Sequence, residues 1–279
     1  HRGLEQVSLA RREIAQGRKV LEEAVRDYPN TETRVQADYL LADLDLEFAN
    51  DVKDETMRKR KYLDSINRFK DIILTYPDSP YAPKAQYKMA LAFEKMGDID
   101  QACEEYVRLS YTYPDSDLIA ETIARLGNYF AAKGKEMEAK TNEQTEKREK
   151  EKYGVLTTNM FRTAADVFSR LSPRFPTHQL AGKTMVISGQ CYYRCGEHEK
   201  AIDALDGAIK IIKDDNDLIA EAIYWKGDIY KKMGNFEKAY RQFKQLTWDY
   251  PSTKWAKFAR GQLLQPDFKT IVDKDAASE

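Results

Sequence analysis

The residues most suggestive of chemistry are a cysteine pair and a nearby histidine, Cys191, Cys195 and His198. Thiolate and imidazole groups are good zinc ligands, but three ligands would hold zinc only with a fourth from elsewhere in the chain. Cysteine is also among the residues most often buried, and the two cysteines are spaced to lie on one helix. We therefore expect these side chains to pack in the core, and we predict neither a metal nor a cofactor.

Two other patterns bear on catalysis. The letters AGKT at 181–184 resemble the end of a phosphate-binding loop. That motif needs a glycine where Thr177 stands and a strand before it, and neither is found. The histidines do not combine with serine, cysteine or aspartate in any spacing that suggests a nucleophile and its base. The sequence therefore predicts a protein that is not an enzyme.

The element that organises the chain is a helical hairpin over residues 217–251. Its two segments carry apolar or small residues every three or four positions, which puts one stripe on each of two helices: Ala220, Ile223, Gly227 and Tyr230, then Ala239, Phe243 and Leu246. Gly234 can end the first helix in a left-handed conformation, and Asn235 can cap the second. Pro251 then stops the second helix.

The hairpin recurs along the chain with the same spacing. The first helix has a small residue at Ala42, Ala90, Gly127, Gly189 and Gly227. A turn glycine follows at Gly97, Gly134, Gly196 and Gly234, and a second-helix alanine at Ala102, Ala139, Ala201 and Ala239. A large apolar residue comes next at Tyr106, Leu205 and Phe243, whereas Glu143 departs from the pattern. One hairpin cannot bury its apolar face alone, so neighbouring hairpins must stack.

These residues resemble the tetratricopeptide repeat (TPR) family over roughly residues 17–264. The resemblance implies an all-α fold, a TPR-type α-solenoid of stacked antiparallel helical hairpins. The pattern YP-x-S-x-x-A in 76–102, and the related segment 249–263, are similar to repeats of bacterial envelope proteins of the BamD and YbgF (CpoB) kind. This similarity implies a periplasmic or cell-envelope location, with a soluble cytoplasmic one as the alternative. Whether a signal peptide or lipid anchor preceded His1 is left open.

Composition limits the partners. The chain has 279 residues, 42% of them hydrophobic, and a formal net charge of −1, which argues against nucleic-acid binding. It holds no apolar run of about 20 residues, so we predict no transmembrane segment. Charge is uneven: residues 36–55 carry a net −6 and residues 231–261 a net +6. Three interpretations are open. The segments are solvated helix faces, the basic segment docks an acidic partner, or the two ends join copies of the chain by weak self-association.

The domain prediction follows the repeats. Residues 1–134 form N-terminal TPR hairpins, and residues 155–265 form C-terminal hairpins closed by a capping helix. Between them, residues 135–154 are a charged insertion or helical extension without an apolar stripe, and a partner-binding arm is a further interpretation. Residues 266–279 are expected to be a frayed tail.

In proteins that resemble this one, the first helix of each hairpin lines a concave face. The expected ligand groove of this chain comprises Tyr39, Tyr87, Asn128, Gln190, Tyr193, Arg194, Tyr224, Asp228 and Lys231. Tyrosine suits recognition because it combines a rigid ring with a hydroxyl, but the same tyrosines could instead pack between adjacent hairpins. We therefore predict a non-catalytic scaffold that binds a protein or peptide on this face. The alternative is a structural or self-assembling module joined through its acidic and basic ends.

Overall fold

The computed structural model describes residues 2–29 and 31–276. Within that part of the chain all regular structure is helical, and the chain divides into two compact units, His1–Thr122 and Ile123–Glu279. The predicted all-α fold of stacked TPR-type hairpins is confirmed. None of the described helices has the length and apolar character needed to cross a bilayer.

The first unit contains helices paired antiparallel with their neighbours: α1 (Arg2–Asp27), α2 (Glu32–Asp51), α3 (Glu55–Thr75), α4 (Ala82–Met96) and α5 (Ile99–Thr112). Side-chain caps start three of them, because Thr31, Asp54 and Asp98 each accept a hydrogen bond from the amide three residues on. The fully buried rings of Phe69 and Tyr106 lie on the second helices of their hairpins, where the apolar stripe predicts them.

Helix α6 (Ile119–Glu143) crosses the division between the units. The second unit continues with α7 (Lys147–Ser169), α8 (Leu171–Arg174), α9 (Ala181–Arg194), α10 (His198–Ile211), α11 (Asn216–Lys232), α12 (Phe236–Asp249) and α13 (Lys254–Leu263), then a 3-10 turn (Pro266–Phe268) and α14 (Lys269–Ala276). The hairpins are α9–α10 and α11–α12, and α13 packs against both α11 and α12. Close contacts of two α6 glycines with α7 phenylalanines define a further hairpin, α6–α7.

Three of the four predicted turn glycines end a helix with positive φ: Gly97 (83°), Gly196 (82°) and Gly234 (77°). The fourth prediction was wrong. Gly134 lies inside α6 and is buried, with no turn after it. Consequently Ala139 is not a second-helix alanine, because it lies on the same helix as Gly134.

The second helix of this hairpin is α7, which begins only at Lys147. Small-residue contacts show the pairing: a Cβ built on Gly127 would stand 2.5 Å from Cε1 of Phe168, and one on Gly134 would stand 3.0 Å from Cδ1 of Phe161. The charged segment 135–154 therefore supplies the end of α6, a short connection and the start of α7. Near the connection, the hydroxyls of Thr141 and Thr157 lie 3.3 Å apart.

The α9–α10 and α11–α12 hairpins have the predicted repeat spacing. A Cβ on Gly227 would stand 2.5 Å from Cε1 of Phe243, and one on Gly189 would stand 2.7 Å from Cγ of Leu205. The small residue thus lets each pair of helices approach closely, and the large residue of the second helix fills the space left by the missing side chain.

The C-terminal segment differs from the frayed tail expected from residue 266 onward. The 3-10 turn places Phe268 fully inside the core, with its ring 6.0 Å from that of Phe236 and 5.9 Å from that of Phe243. The buried ring ties residues 266–268 to the α11–α12 hairpin. The last three residues of the expected tail, 277–279, lie outside the described part of the chain.

Candidate partner-binding surface

The expected groove residues of the second unit share one set of helices, the first helices of successive hairpins. We call this surface the first-helix face of the second unit; it is made by Asn128 on α6, Gln190, Tyr193 and Arg194 on α9, and Tyr224, Asp228 and Lys231 on α11. Asn128, Gln190 and Asp228 each follow the small residue of their helix, so they hold equivalent repeat positions. The remaining two expected residues, Tyr39 and Tyr87, lie on α2 and α4 of the first unit.

Hydrogen bonds cross between neighbouring first helices along this face. The Gln190 side-chain amide donates to Oε1 of Glu221 over 2.8 Å, and the Tyr193 hydroxyl donates to Oδ2 of Asp228 over 3.1 Å. Both bonds connect α9 to α11. Four polar side chains are therefore held in fixed positions rather than left to rotate in solvent.

A second set of contacts connects α11 to α13 and the turn after it. The Gln262 amide donates to the Tyr224 hydroxyl over 3.3 Å. The Lys231 ammonium donates to Oε1 of Gln262 over 3.0 Å and also to the side chain of Gln265, and it lies 3.9 Å from Oδ2 of Asp267. Lys231 is half-buried, and its ammonium binds side chains of α13 and of the turn after it, so fewer of its donors are left for a partner.

Two of the expected groove residues are exposed, Asn128 and Arg194. Arg194 is held in place by α6 and α7: its Nη1 donates to Oε2 of Glu138 over 2.6 Å, and its guanidinium carbon lies 5.0 Å from the centroid of the Phe161 ring. An arginine fixed in this way keeps its remaining donors oriented for an acceptor on a partner.

The Tyr193 hydroxyl is a donor over the whole physiological pH range. Burial raises the pKa of Tyr193 to about 12, and the neighbouring carboxylate of Asp228 acts in the same direction because it disfavours a second negative charge. Its ring also lies 6.0 Å from that of Trp225 and 5.7 Å from the imidazole of His198. The side chain is thus fixed at both its ring and its hydroxyl.

Tyr39 and Tyr224 lie in the packing between hairpins, which was the alternative interpretation of these tyrosines. Tyr39 lies 5.4 Å from the ring of Tyr81 in the first unit, and Tyr224 lies 5.2 Å from the ring of Trp255 in the second. Tyr81 and Trp255 hold equivalent positions, each following the proline that ends the preceding hairpin. Tyr87 instead contacts Tyr106 of its own hairpin, at 5.6 Å between ring centroids.

Asp38, Asp43 and Asp45 of the acidic segment 36–55 form ion pairs inside the first unit. The buried carboxylate of Asp45 pairs with Arg18 of α1 and, over 3.1 Å, with Arg68 of α3. Asp43 lies 2.6 Å from the ammonium of Lys88 on α4. The net charge of this segment therefore overstates the negative charge it presents to a second molecule.

The cysteine cluster packs into the α9–α10 hairpin. Cys191 is buried, and Cys195 donates its thiol proton to the carbonyl of Tyr192 over 3.3 Å. Burial raises the pKa of the Cys191 thiol to about 11 and also raises that of Cys195, so both sulfurs are protonated at neutral pH. Zinc binds thiolates, and in the described residues no group of three or more His, Cys, Asp or Glu side chains is arranged to hold a metal ion.

The AGKT segment begins α9 and serves its packing. A Cβ on Gly182 would stand 2.5 Å from Cγ1 of Ile212, so this glycine is needed for the close approach of α10's end. The Thr184 hydroxyl is buried and donates to the carbonyl of Leu180 over 2.9 Å. Both residues have structural roles that do not involve a phosphate.

Four residues that contact the first-helix face were not predicted: Glu221 on α11, and Trp255, Phe258 and Gln262 on α13. The sequence predicts α13 as a capping helix, and in the structure α13 packs against α12 and also contacts α11 as a further first helix would. A signal was available, because the YP-x-S-type pattern before α13 resembles the one that precedes α4. Glu221 had no such signal, since a charged residue on a helix is equally expected on a solvated surface.

Stacked hairpins with this spacing define a helical repeat protein of the tetratricopeptide class. Family comparison agrees: two tetratricopeptide repeat families match residues 183–215 and 221–253. The YfiO family, described as outer membrane lipoprotein, matches residues 7–114. Comparison with curated proteins gave no significant match.

Solved structures that align with this chain have low sequence identity to it. BtubC (BKLC) from P. vanneervenii aligns with a TM-score of 0.49 at 18% identity, covering 91% of this chain and 91% of that one. MamA 41-end from Desulfovibrio magneticus RS-1 aligns with a TM-score of 0.44 at 13% identity, covering 73% of this chain and 93% of that one.

The matched families suggest a general role for the chain. Tetratricopeptide repeats are generally non-catalytic protein-interaction modules, and the family matches suggest a protein–protein interaction scaffold. Its match to a lipoprotein family suggests association with the cell envelope.

Proposed function

We propose that the chain is a non-catalytic scaffold that binds an extended protein or peptide segment along the first-helix face of its second unit. The observation that carries the proposal is the row of cross-helix hydrogen bonds that fixes Gln190, Tyr193 and Asp228. Side chains ordered before binding lose less conformational entropy when a partner arrives. The exposed donor of Arg194 lies on α9 with this row, and that of Asn128 lies on α6, whose Glu138 accepts a hydrogen bond from Arg194. Both donors suit backbone carbonyls or carboxylates of a partner.

We also propose that the protein works in bacterial envelope assembly. Support comes from the match of residues 7–114 to an outer membrane lipoprotein family and from the envelope-type repeats noted in the sequence. The self-assembly alternative is less favoured, because Asp43 and Asp45 are already paired within the first unit.

Affinity capture from envelope and soluble cell fractions tests the proposal. The test variant is Asn128→Ala/Arg194→Ala, which changes two exposed side chains of the first-helix face. Its matched control is Glu199→Ala/Arg241→Ala, which changes two exposed side chains on the second helices α10 and α12. We expect a protein captured by the wild type and the control, enriched in the envelope fraction, to be lost with the test variant.

Two results would count against the proposal. Capture that survives in the test variant but disappears in the control would move the site to the second helices. Self-capture of the chain as its dominant partner, weakened by salt in light scattering, would favour the self-assembly alternative.

A further inference from the structure

The C-terminal end of the second unit carries an aromatic cluster that is open to solvent on one side. Phe258 of α13 lies 5.8 Å from the ring of Trp255 and 6.1 Å from that of Tyr224 on α11. Trp255 and Tyr224 are half-buried, but 51% of Phe258 is exposed. A large apolar side chain of a partner could pack on this ring and against the two rings beside it.

The helix that presents the cluster is basic throughout. α13 carries Lys254, Lys257 and Arg260, all exposed, and no acidic residue. Lys254 stands at the first position of the helix, where a positive charge opposes the helix dipole and an acidic residue would have stabilised the helix. Arg260 lies in the last turn, where a cation favours the helix, but the charge of Lys254 does not serve the stability of α13.

The surrounding groups leave the positive charge dominant. The Lys254 ammonium lies 4.9 Å from the centroid of the Trp255 ring, and Arg260 donates to the carbonyl of Pro251 over 3.4 Å, so neither contact neutralises its cation. The carboxylate of Asp267 lies toward Lys231 of α11. Residues 231–261 as a whole carry a net +6.

We infer that this surface, made by Tyr224, Trp255 and Phe258 with Lys254 and Lys257, is a docking site for an acidic peptide segment that carries an aromatic side chain. The ring of the segment packs on Phe258, and its carboxylates face the α13 cations. The inference deepens the proposed function and rests on it, since it names the chemistry of the partner at one end of the first-helix face.

The test uses the full chain and a fluorescein-labelled probe of about a dozen residues, rich in Asp and Glu with one central Phe, in fluorescence anisotropy. Matched probes replace the Phe by Ser, or the Asp and Glu by Asn and Gln. We expect the acidic Phe probe to bind at least about tenfold more tightly than either matched probe, because both ring burial and charge contribute. Raising NaCl from about 50 mM to about 300 mM should weaken binding through screening.

Two protein variants locate the site. Phe258→Ala should weaken the acidic Phe probe about tenfold or more, as truncation of an aromatic anchor does. Lys254→Glu/Lys257→Glu should weaken it by a similar factor and reduce its salt dependence. The charge control is Lys59→Glu/Arg60→Glu on α3 of the first unit, where both residues are exposed and binding should be unchanged. Circular dichroism checks that each variant is folded. If Phe258→Ala does not fold, the Lys254→Glu/Lys257→Glu variant decides the test.

Several outcomes would overturn the inference. They are no measurable binding of the acidic Phe probe, equal binding of the three probes, or binding that neither α13 variant changes. Each of these leaves the proposed function standing if affinity capture still depends on Asn128 and Arg194. Failure of that capture experiment, with the α13 variants still controlling probe binding, would instead remove the proposed first-helix groove and keep the α13 site.

Discussion

Gly227 of α11 faces the ring of Phe243 on α12 so closely that a Cβ atom at Gly227 would stand 2.5 Å from Cε1 of Phe243. Phe243 is fully buried and its ring also contacts Tyr224, so it has little room to move. We expect Gly227→Leu to overpack the hairpin and lower the free energy of unfolding by about 1–3 kcal/mol. Urea denaturation followed by circular dichroism measures the change.

Gly154→Ala is the matched control for this prediction. Gly154 is also helical, in α7, but a Cβ there would meet nothing within 4 Å. Alanine should therefore raise the free energy of unfolding by about 0.5–1 kcal/mol, because glycine is the poorer helix former. An unchanged stability for Gly227→Leu would show that the helices are not packed as described.

The repeat position of Gly127 shows where sequence reasoning failed. Spacing along the chain pairs Gly127 with Glu143, whereas the structure pairs it with Phe168, at 2.5 Å between the built Cβ and Cε1. A double-mutant cycle distinguishes the pairing with Glu143 from the pairing with Phe168. We expect Gly127→Ala and Phe168→Leu to be coupled by about 0.5–3 kcal/mol, since the smaller leucine leaves room for the added methyl group.

The comparison cycle combines Gly127→Ala with Glu143→Ala. These two changes should add within about 0.5 kcal/mol, because residues that are far apart and share no partner do not couple. Measurable coupling to Glu143, together with additivity for Phe168, would restore the pairing that the spacing predicts and contradict the structure.

The α9–α10 and α11–α12 hairpins could be predicted because the residues that contact each other across them are close in the sequence. Gly189 and Leu205, like Gly227 and Phe243, are joined by a turn glycine and a short connection, so spacing in the sequence translates directly into contact. Gly127 and Phe168 are separated by charged residues that extend both helices. Nothing in a charged stretch distinguishes a longer hairpin from a loop, because exposed helices and exposed loops are both polar.

The candidate surface was only partly predictable for a related reason. Repeat positions give the helix face on which Gln190, Tyr193 and Asp228 lie, but they do not give hydrogen bonds between helices. The bond from Tyr193 to Asp228 depends on how far α9 is rotated against α11, which no residue type specifies. The packing of Tyr39 and Tyr224 was an open alternative because a half-buried tyrosine fits both a groove and a hairpin junction.

Asp45 stands three residues after Ala42, a repeat position at which the other repeats carry an aromatic residue: Phe93, Phe130, Tyr192 and Tyr230. In the structure Asp45 is a buried anion between two arginines. It pairs with Arg18 and Arg68, and its side chain is only 8% exposed. Asp45→Asn should lower the free energy of unfolding by about 1.5–3 kcal/mol, because charged hydrogen bonds are lost and two cations lose their partner. Urea denaturation of wild type and variant gives the difference.

Asp51→Asn, at an exposed position of the same helix, controls for a general effect of charge. Its expected effect is within about 0.5 kcal/mol, as for surface substitutions elsewhere. Equal effects at the two positions would mean that Asp45 contributes only to net charge and that the arginine pairs do not stabilise the first unit.

The last prediction concerns the protonation of the buried thiols. Burial raises the pKa of both Cys103 and Cys191 from 9.0 to about 11. Because the folded-state pKa is the higher one, this contribution to stability is present below about pH 9 and is lost as the pH rises through 11. At pH 8 the thiolate fraction in the folded protein should be about a hundredfold smaller than in the unfolded chain, since each unit of pKa is a factor of ten.

Alkylation by iodoacetamide, followed by peptide mass spectrometry, measures this fraction because only the thiolate reacts. We expect folded Cys191 to react at least about a hundredfold more slowly than in urea-unfolded chain at pH 8, with a rate that keeps rising up to about pH 11. Cys103 is the internal comparison, since its thiol has the same expected pKa and no cysteine pair around it. If Cys191 reacted much faster than Cys103 at pH 8, or if added zinc protected Cys191 alone, its thiolate would be stabilised as in a metal site, and the packing role assigned to the Cys191–Cys195–His198 cluster would be wrong.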